Sequence, residues 1–114
     1  MNILLIGKII AAIATALTGV LALVKPTAVY GFTGLVAEGA RGISEIRAIF
    51  GGLFIALGIA PFIVGESAYQ VLGFGYLAIA VIRLISIFID HSTASSNWIS
   101  LAIEIVFGLI LILR

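Results

Sequence analysis

Cysteine is absent from this 114-residue chain, and histidine and tryptophan each occur once. Without thiols there are no disulfides, thiolate metal sites or nucleophilic cysteines. One histidine cannot build a histidine metal site or an axial haem pair within a single chain. Charge is equally scarce, with six Lys or Arg against five Asp or Glu, 10% of the residues. A soluble domain carries about 25% charged residues, and a fold this small leaves a large share of its area in water. So few charges cannot cover such a surface. That excludes an ordinary cytosolic enzyme, and the wealth of apolar residues excludes a disordered chain. A net charge of +1 excludes a nucleic-acid binder, which needs a basic stripe.

What the chain has is hydrophobic sequence, 63% of it. Charge-free runs locate four apolar spans at about residues 3–24, 44–64, 68–89 and 97–113. A helix crossing a hydrocarbon core of about 30 Å needs roughly 20 residues, so four spans fill residues 1–114 as a single transmembrane domain. The fold expected is all-α, an integral membrane four-helix bundle of up-down topology. Lys25-Pro26 ends the first helix, because proline lacks a donor and restricts the residue before it. Gly65-Glu66-Ser67 is a short link, and Asp90 to Asn97 is the one clearly hydrophilic connection. Pro26 to Ile43 is long, glycine-rich and apolar, and reads as a short interfacial or partly re-entrant segment, with a plain extended loop as the alternative. The first span reads as a retained helix and not a cleaved leader, since its small-residue pairs lie mid-run and no positive side chain precedes Ile3. Tyr30, Phe32, Tyr69 and Trp98 fall near span ends, where amphipathic rings suit the headgroup level. Lys8 and Arg114 on one side balance Lys25 and Arg41 on the other, so positive charge sets no orientation.

Lipid is as apolar as leucine, so helices associate in it through small residues that admit close backbone approach. Ala48, Gly52, Ala56 and Ala60 recur every four residues in the second span, as do Ala11, Thr15 and Gly19 in the first. These are the expected packing ridges, within the bundle or between copies. Arg83 and Glu104 each lie six residues inside neighbouring spans, about 9 Å from the same membrane face at 1.5 Å per residue. A charge at that depth costs about 2.5–3.5 kcal/mol unless it is paired. Glu45 and Arg47 enter the second span from that face, two residues apart and therefore aimed differently. The expected site is a buried cluster of Glu45, Arg47, Arg83 and Glu104, bordered by Asp90, Glu38 and Arg41. It serves either as a register-fixing salt-bridge network or as a polar chamber for a proton, an ion or an anionic or quinone-like headgroup. Lys8 is expected to snorkel to the interface, His91 to be solvated, and the fingerprint-like Gly73-Phe74-Gly75 to be helix packing, since no strand precedes it.

The run Glu45-Ile46-Arg47-Ala48-Ile49-Phe50-Gly51-Gly52, followed by Ala56-Leu57-Gly58, resembles the E-x-R-A-x-(Tyr/Phe)-G-G signature of the family called domain of unknown function 4345. Arg83, Asp90 and Glu104 match its remaining polar positions, while Asp90-His91 departs from the Asp-Gly that often closes the third helix. The resemblance covers about residues 5 to 113. It implies a small four-helix membrane protein, distantly similar to DoxX-like proteins, some of which accompany quinone-linked oxidoreductases, and it carries no activity with it. Three roles are weighed. The first is a non-catalytic accessory subunit packing against a larger respiratory or photosynthetic membrane complex, in a bacterial-type inner or photosynthetic membrane. The second is a small oligomeric transporter or proton conductor using the Arg/Glu cluster. The third, a membrane enzyme acting on lipid or quinone, lacks a nucleophile, metal site or base. No resident cofactor is expected. The partners expected are the bilayer, other membrane subunits or further copies, and a lipid or quinone, but no nucleic acid.

Overall fold

The structure, a computed structural model, describes residues 2–114 and is predominantly helical, with no strand among the described residues. Asn2 starts α1 (Ile3–Val24), its side chain accepting from the Leu5 N–H at 2.7 Å and so satisfying one of the orphan donors of the first turn. Lys25-Pro26 stops α1, and a 3₁₀ turn, Pro26–Val29, leads into the short α2 (Tyr30–Thr33). Gly34 closes α2 in the left-handed conformation with φ 77°, which glycine adopts without penalty. Residues 34–38 have no regular structure, with Glu38 extended, and lead into α3 (Gly39–Val64). The connection from Pro26 is therefore part helix and part irregular strap. The helix that carries the second apolar span begins at Gly39, because Gly39 to Glu45 are already helical.

One residue, Gly65 at φ 99°, separates α3 from α4 (Glu66–Ile89). Five residues beginning at Asp90 join α4 to α5 (Ser95–Ile112). Four of these helices, α1, α3, α4 and α5, are long and apolar enough to cross a membrane. At 1.5 Å per residue they extend about 27 to 39 Å, which brackets the ~30 Å of a hydrocarbon core.

Two tight helix pairs make up the body. Glycine decides both, at points where any side chain would collide. A Cβ on Gly19 would stand 2.8 Å from the Gly51 carbonyl oxygen, and one on Gly58 would stand 2.6 Å from the Ala12 oxygen and the Ala16 nitrogen. These contacts run in opposite order along α1 and α3. Likewise Gly73 of α4 meets Leu111 and Ile112 of α5, while Gly108 meets Leu77. The pairs join through Ala11, Ala12, Tyr69, Leu72 and Leu111, which form a common core. Tyr69, near the start of α4, is buried in that core and does not face outward. Tyr30, Phe32 and Trp98 are exposed.

The two small-residue ridges fare differently. Ala11, Thr15 and Gly19 are buried along α1. On α3, Ala48, Gly52 and Ala56 are exposed and Ala60 is half-buried, so of the two uses expected for that ridge, packing within the bundle and contact between copies, the first is not made. The cause is a π-helical stretch, Ile46–Leu53, whose wider turn inserts the equivalent of one residue and rotates the face. The buried positions of α3 become Ile46, Gly51, Gly58 and Pro61, with a five-residue first step. Outside the core the molecule is strongly apolar. Ile63, Val64, Ile82, Phe88 and Ile89 are each about two-thirds exposed or more. An apolar exterior of this extent fits a lipid or protein neighbour and not water.

Candidate functional site

Polar side chains inside the fold occupy three levels along α4. At the first level Lys8 of α1, only 3% exposed, pairs with Glu66 and lies 5.9 Å from the centre of the Tyr69 ring. At the second, Thr15 and Tyr76 share a hydrogen bond, and Thr15 also donates to the Ala11 carbonyl at 2.8 Å. At the third, Arg83 meets Glu104 of α5. Tyr69, Tyr76 and Arg83 are seven residues apart, so one stripe of α4 presents all three toward α1 and α5. Among the described residues, no buried side-chain nitrogen or oxygen lacks a partner.

The third level has the strongest geometry. Arg83 Nε donates to both Glu104 oxygens, at 2.8 and 3.0 Å, and Nη2 donates to Oε2 at 2.7 Å. This is the planar, two-pronged match that guanidinium makes with carboxylate. Nη1 donates to Asn97 Oδ1 at 2.7 Å, and the Asn97 amide in turn donates to the Ser92 carbonyl and hydroxyl, both at 2.9 Å. The loop between α4 and α5 is thereby tied to the ion pair. Arginine has five N–H donors, and the contacts use one on each nitrogen, leaving one free on each of Nη1 and Nη2. The Glu104 side chain is 10% exposed and that of Arg83 31%, so the carboxylate lies behind and the guanidinium in front.

In front of Arg83 is an open cleft of about 740 Å³. Phe32, Thr33 and Gly34 at the end of α2 form one wall, and Ile79, Ile82 and Ser86 of α4 form another. The start of α5 supplies the third with Ser96, Asn97 and Ser100. The size falls within the ~300–1,000 Å³ of small-molecule sites.

Arg83 and Glu104 come together as their spacing required, but Glu45, Arg47 and Asp90 do not join them. Glu45 pairs with Arg41 on the surface, one helical turn away in α3. Arg47 is exposed. The physical reason is that α3 packs on α4 only through Phe54–Val64, while Ile46–Leu53 lies along α1 and Gly39–Glu45 extends beyond both. The charges at its start are therefore carried away from Arg83. Asp90 is exposed and accepts from Ser86 at 2.5 Å.

The Lys8–Glu66 pair was missed. Read as charge in a link, Glu66 gave no signal, yet the one-residue turn at Gly65 places it at the head of α4, where it pairs with Lys8. The partners differ sharply in exposure, 4% for the Lys8 side chain against 43% for Glu66. Replacing Glu66 by Gln should accordingly destabilise the fold more than replacing Lys8 by Met, because the first strands a buried ammonium and the second leaves a carboxylate that reaches solvent. Thermal unfolding in detergent checks the order. Asn97 was likewise passed over as loop and Thr15 as packing, and Tyr76 gave no signal. Gly73 is a packing glycine, as its lack of a preceding strand implied, and His91 is exposed at φ 54°. Among the described residues no three His, Asp or Glu side chains converge as a metal site requires.

The family model described as Domain of unknown function (DUF4345) matches residues 3–114. No curated protein matches the chain, and no solved structure does.

Proposed function

Since the chain belongs to the DUF4345 family over essentially its whole length, and its four long helices are apolar on their outer faces, we propose that it is an integral membrane protein working as a non-catalytic accessory subunit. The four helices cross the bilayer in up-down order, with both termini on one side. Lipid or protein covers the outward isoleucines, valines and phenylalanines, and the interior polar groups satisfy one another. A larger membrane assembly is the partner.

One observation carries the subunit reading. The exposed face of α3 bears Ala48, Gly52 and Ala56, and a Cβ added at Gly52 would meet nothing within 4 Å. Within lipid such a face gains nothing by burying leucine but gains from a close helix partner. The fold uses the other face of α3 for α1 and leaves this one for a second chain. Ala56→Leu should therefore preserve the melting temperature of the isolated protein, because the position is exposed. It should sharply reduce the stoichiometric partner that co-purifies in mild detergent. Equal recovery of partner with the variant would overturn the subunit reading.

The conducting role draws on the three polar levels, which follow one another at about 10 Å, seven residues of α4 at 1.5 Å each. Protein reconstituted in liposomes should carry no proton flux on the subunit reading. Flux that vanishes with Glu104→Gln would replace it with conduction.

A further inference from the structure

The cleft in front of Arg83 has unused hydrogen-bonding groups that can all donate. Thr33 already donates to the Val29 carbonyl, Ser86 to Asp90, and Ser92 accepts from Asn97. What remains facing the space are two N–H groups of Arg83 and the hydroxyls of Ser96 and Ser100, for which the described residues supply no side-chain partner. Ser96 and Ser100 are four apart on α5 and so share one stripe. All of these can donate, so they suit a ligand that presents acceptor oxygens.

Charge narrows the ligand further. Arg83 is the one charged residue lining the cleft, and Glu104, its counter-charge, is buried behind it. The pair acts as a dipole with its positive end toward the space. Beside it Asp90 holds Ser86, and that carboxylate opposes a second negative charge. One negative charge spread over several oxygens satisfies both conditions, and a dianion does not. The remaining lining is apolar. Ile79 and Ile82 continue the wall outward, and Ile82 is 66% exposed, so the cleft is continuous with the outer face of α4.

From these groups we infer that the cleft holds the phosphodiester headgroup of a membrane lipid. Arg83, Ser96 and Ser100 donate to the phosphate and ester oxygens, and the acyl chains descend past Ile79 and Ile82. Phe32 at the end of α2 closes over the glycerol region. The inference rests on the membrane reading above and adds a defined ligand to it.

Native mass spectrometry of the purified, delipidated protein tests it, titrating dioleoyl phosphatidylglycerol and dioleoyl phosphatidylcholine with inorganic phosphate as competitor. Wild-type protein should retain one phospholipid saturably, and millimolar phosphate should not displace it, since phosphate lacks the acyl contacts. Ser100→Leu fills the space and should lower retention at least about tenfold. Ser96→Leu, at an exposed position, should lower it in the same direction. Retention that both variants leave unchanged, a site that inorganic phosphate empties, or no saturable phospholipid at all would each overturn the inference. Failure of the membrane reading shows separately, as protein that carbonate extracts from membranes before any lipid is added.

Discussion

Arg83→Ala should lower the stability of the protein by about 3 kcal/mol, whereas the double change Arg83→Leu with Glu104→Leu should cost distinctly less. The single variant removes three contacts to Glu104, a residue buried in the native protein, and leaves its carboxylate with no second cation beside it. It also takes the Nη1 donor from Asn97, loosening the hold on the loop before α5. The double variant removes both charges and fills the space with side chains of the kind that surround it. Desolvation decides the order, because a buried carboxylate must recover what it loses on leaving water and only its partner supplies that. Trp98, packed edge-on against Phe88 at 6.4 Å near the same loop, is the sole tryptophan and reports the transition by its fluorescence in detergent. A double variant that melts below the single one would show that the pair is held for a reason other than mutual neutralisation.

The second large effect is expected from two chemically identical substitutions a few residues apart on α3. Gly58→Ala should destabilise by about 1–3 kcal/mol or more, as overpacking does. Gly52→Ala should be neutral or slightly stabilising, since alanine favours helix over glycine by up to ~1 kcal/mol. At Gly58 the added carbon meets backbone, the Ala12 oxygen and the Ala16 nitrogen at 2.6 Å, so neither helix can yield by turning a side chain. At Gly52 it enters open space. Paired melts of the two variants in one detergent measure the difference directly. Equal melting temperatures would mean that α1 and α3 are not held at the separation described. If Gly52→Ala weakens the recovered complex but not the isolated chain, the exposed face belongs to a neighbour.

Much of this arrangement was readable from residue order, for reasons that differ by element. The four long helices were legible because charge is so scarce that each uninterrupted run declares itself. Lys25-Pro26 and the polar loop at Asp90 marked boundaries by turn chemistry. Arg83 and Glu104 were legible because equal depth on consecutive helices brings two costly charges to one place. The face of α3 was not, since periodicity arguments assume 3.6 residues per turn and Ile46–Leu53 does not keep it. Glu45 and Arg47 shared a depth with Arg83 but not a side of the molecule, and depth says nothing about azimuth. Lys8–Glu66 joins residues 58 apart across a turn of one residue, a contact that only the packing of α1 against α4 creates. The cleft depends on where α2 settles, and a glycine-rich strap of mixed character gave no direction for that.

The single residue at Gly65 has a consequence for how the protein is made. On the proposed membrane reading, α3 and α4 have no slack between them and form one helical hairpin. Arg83 precedes Glu104 in the chain, so a growing polypeptide carries an unmatched cation until α5 has been made.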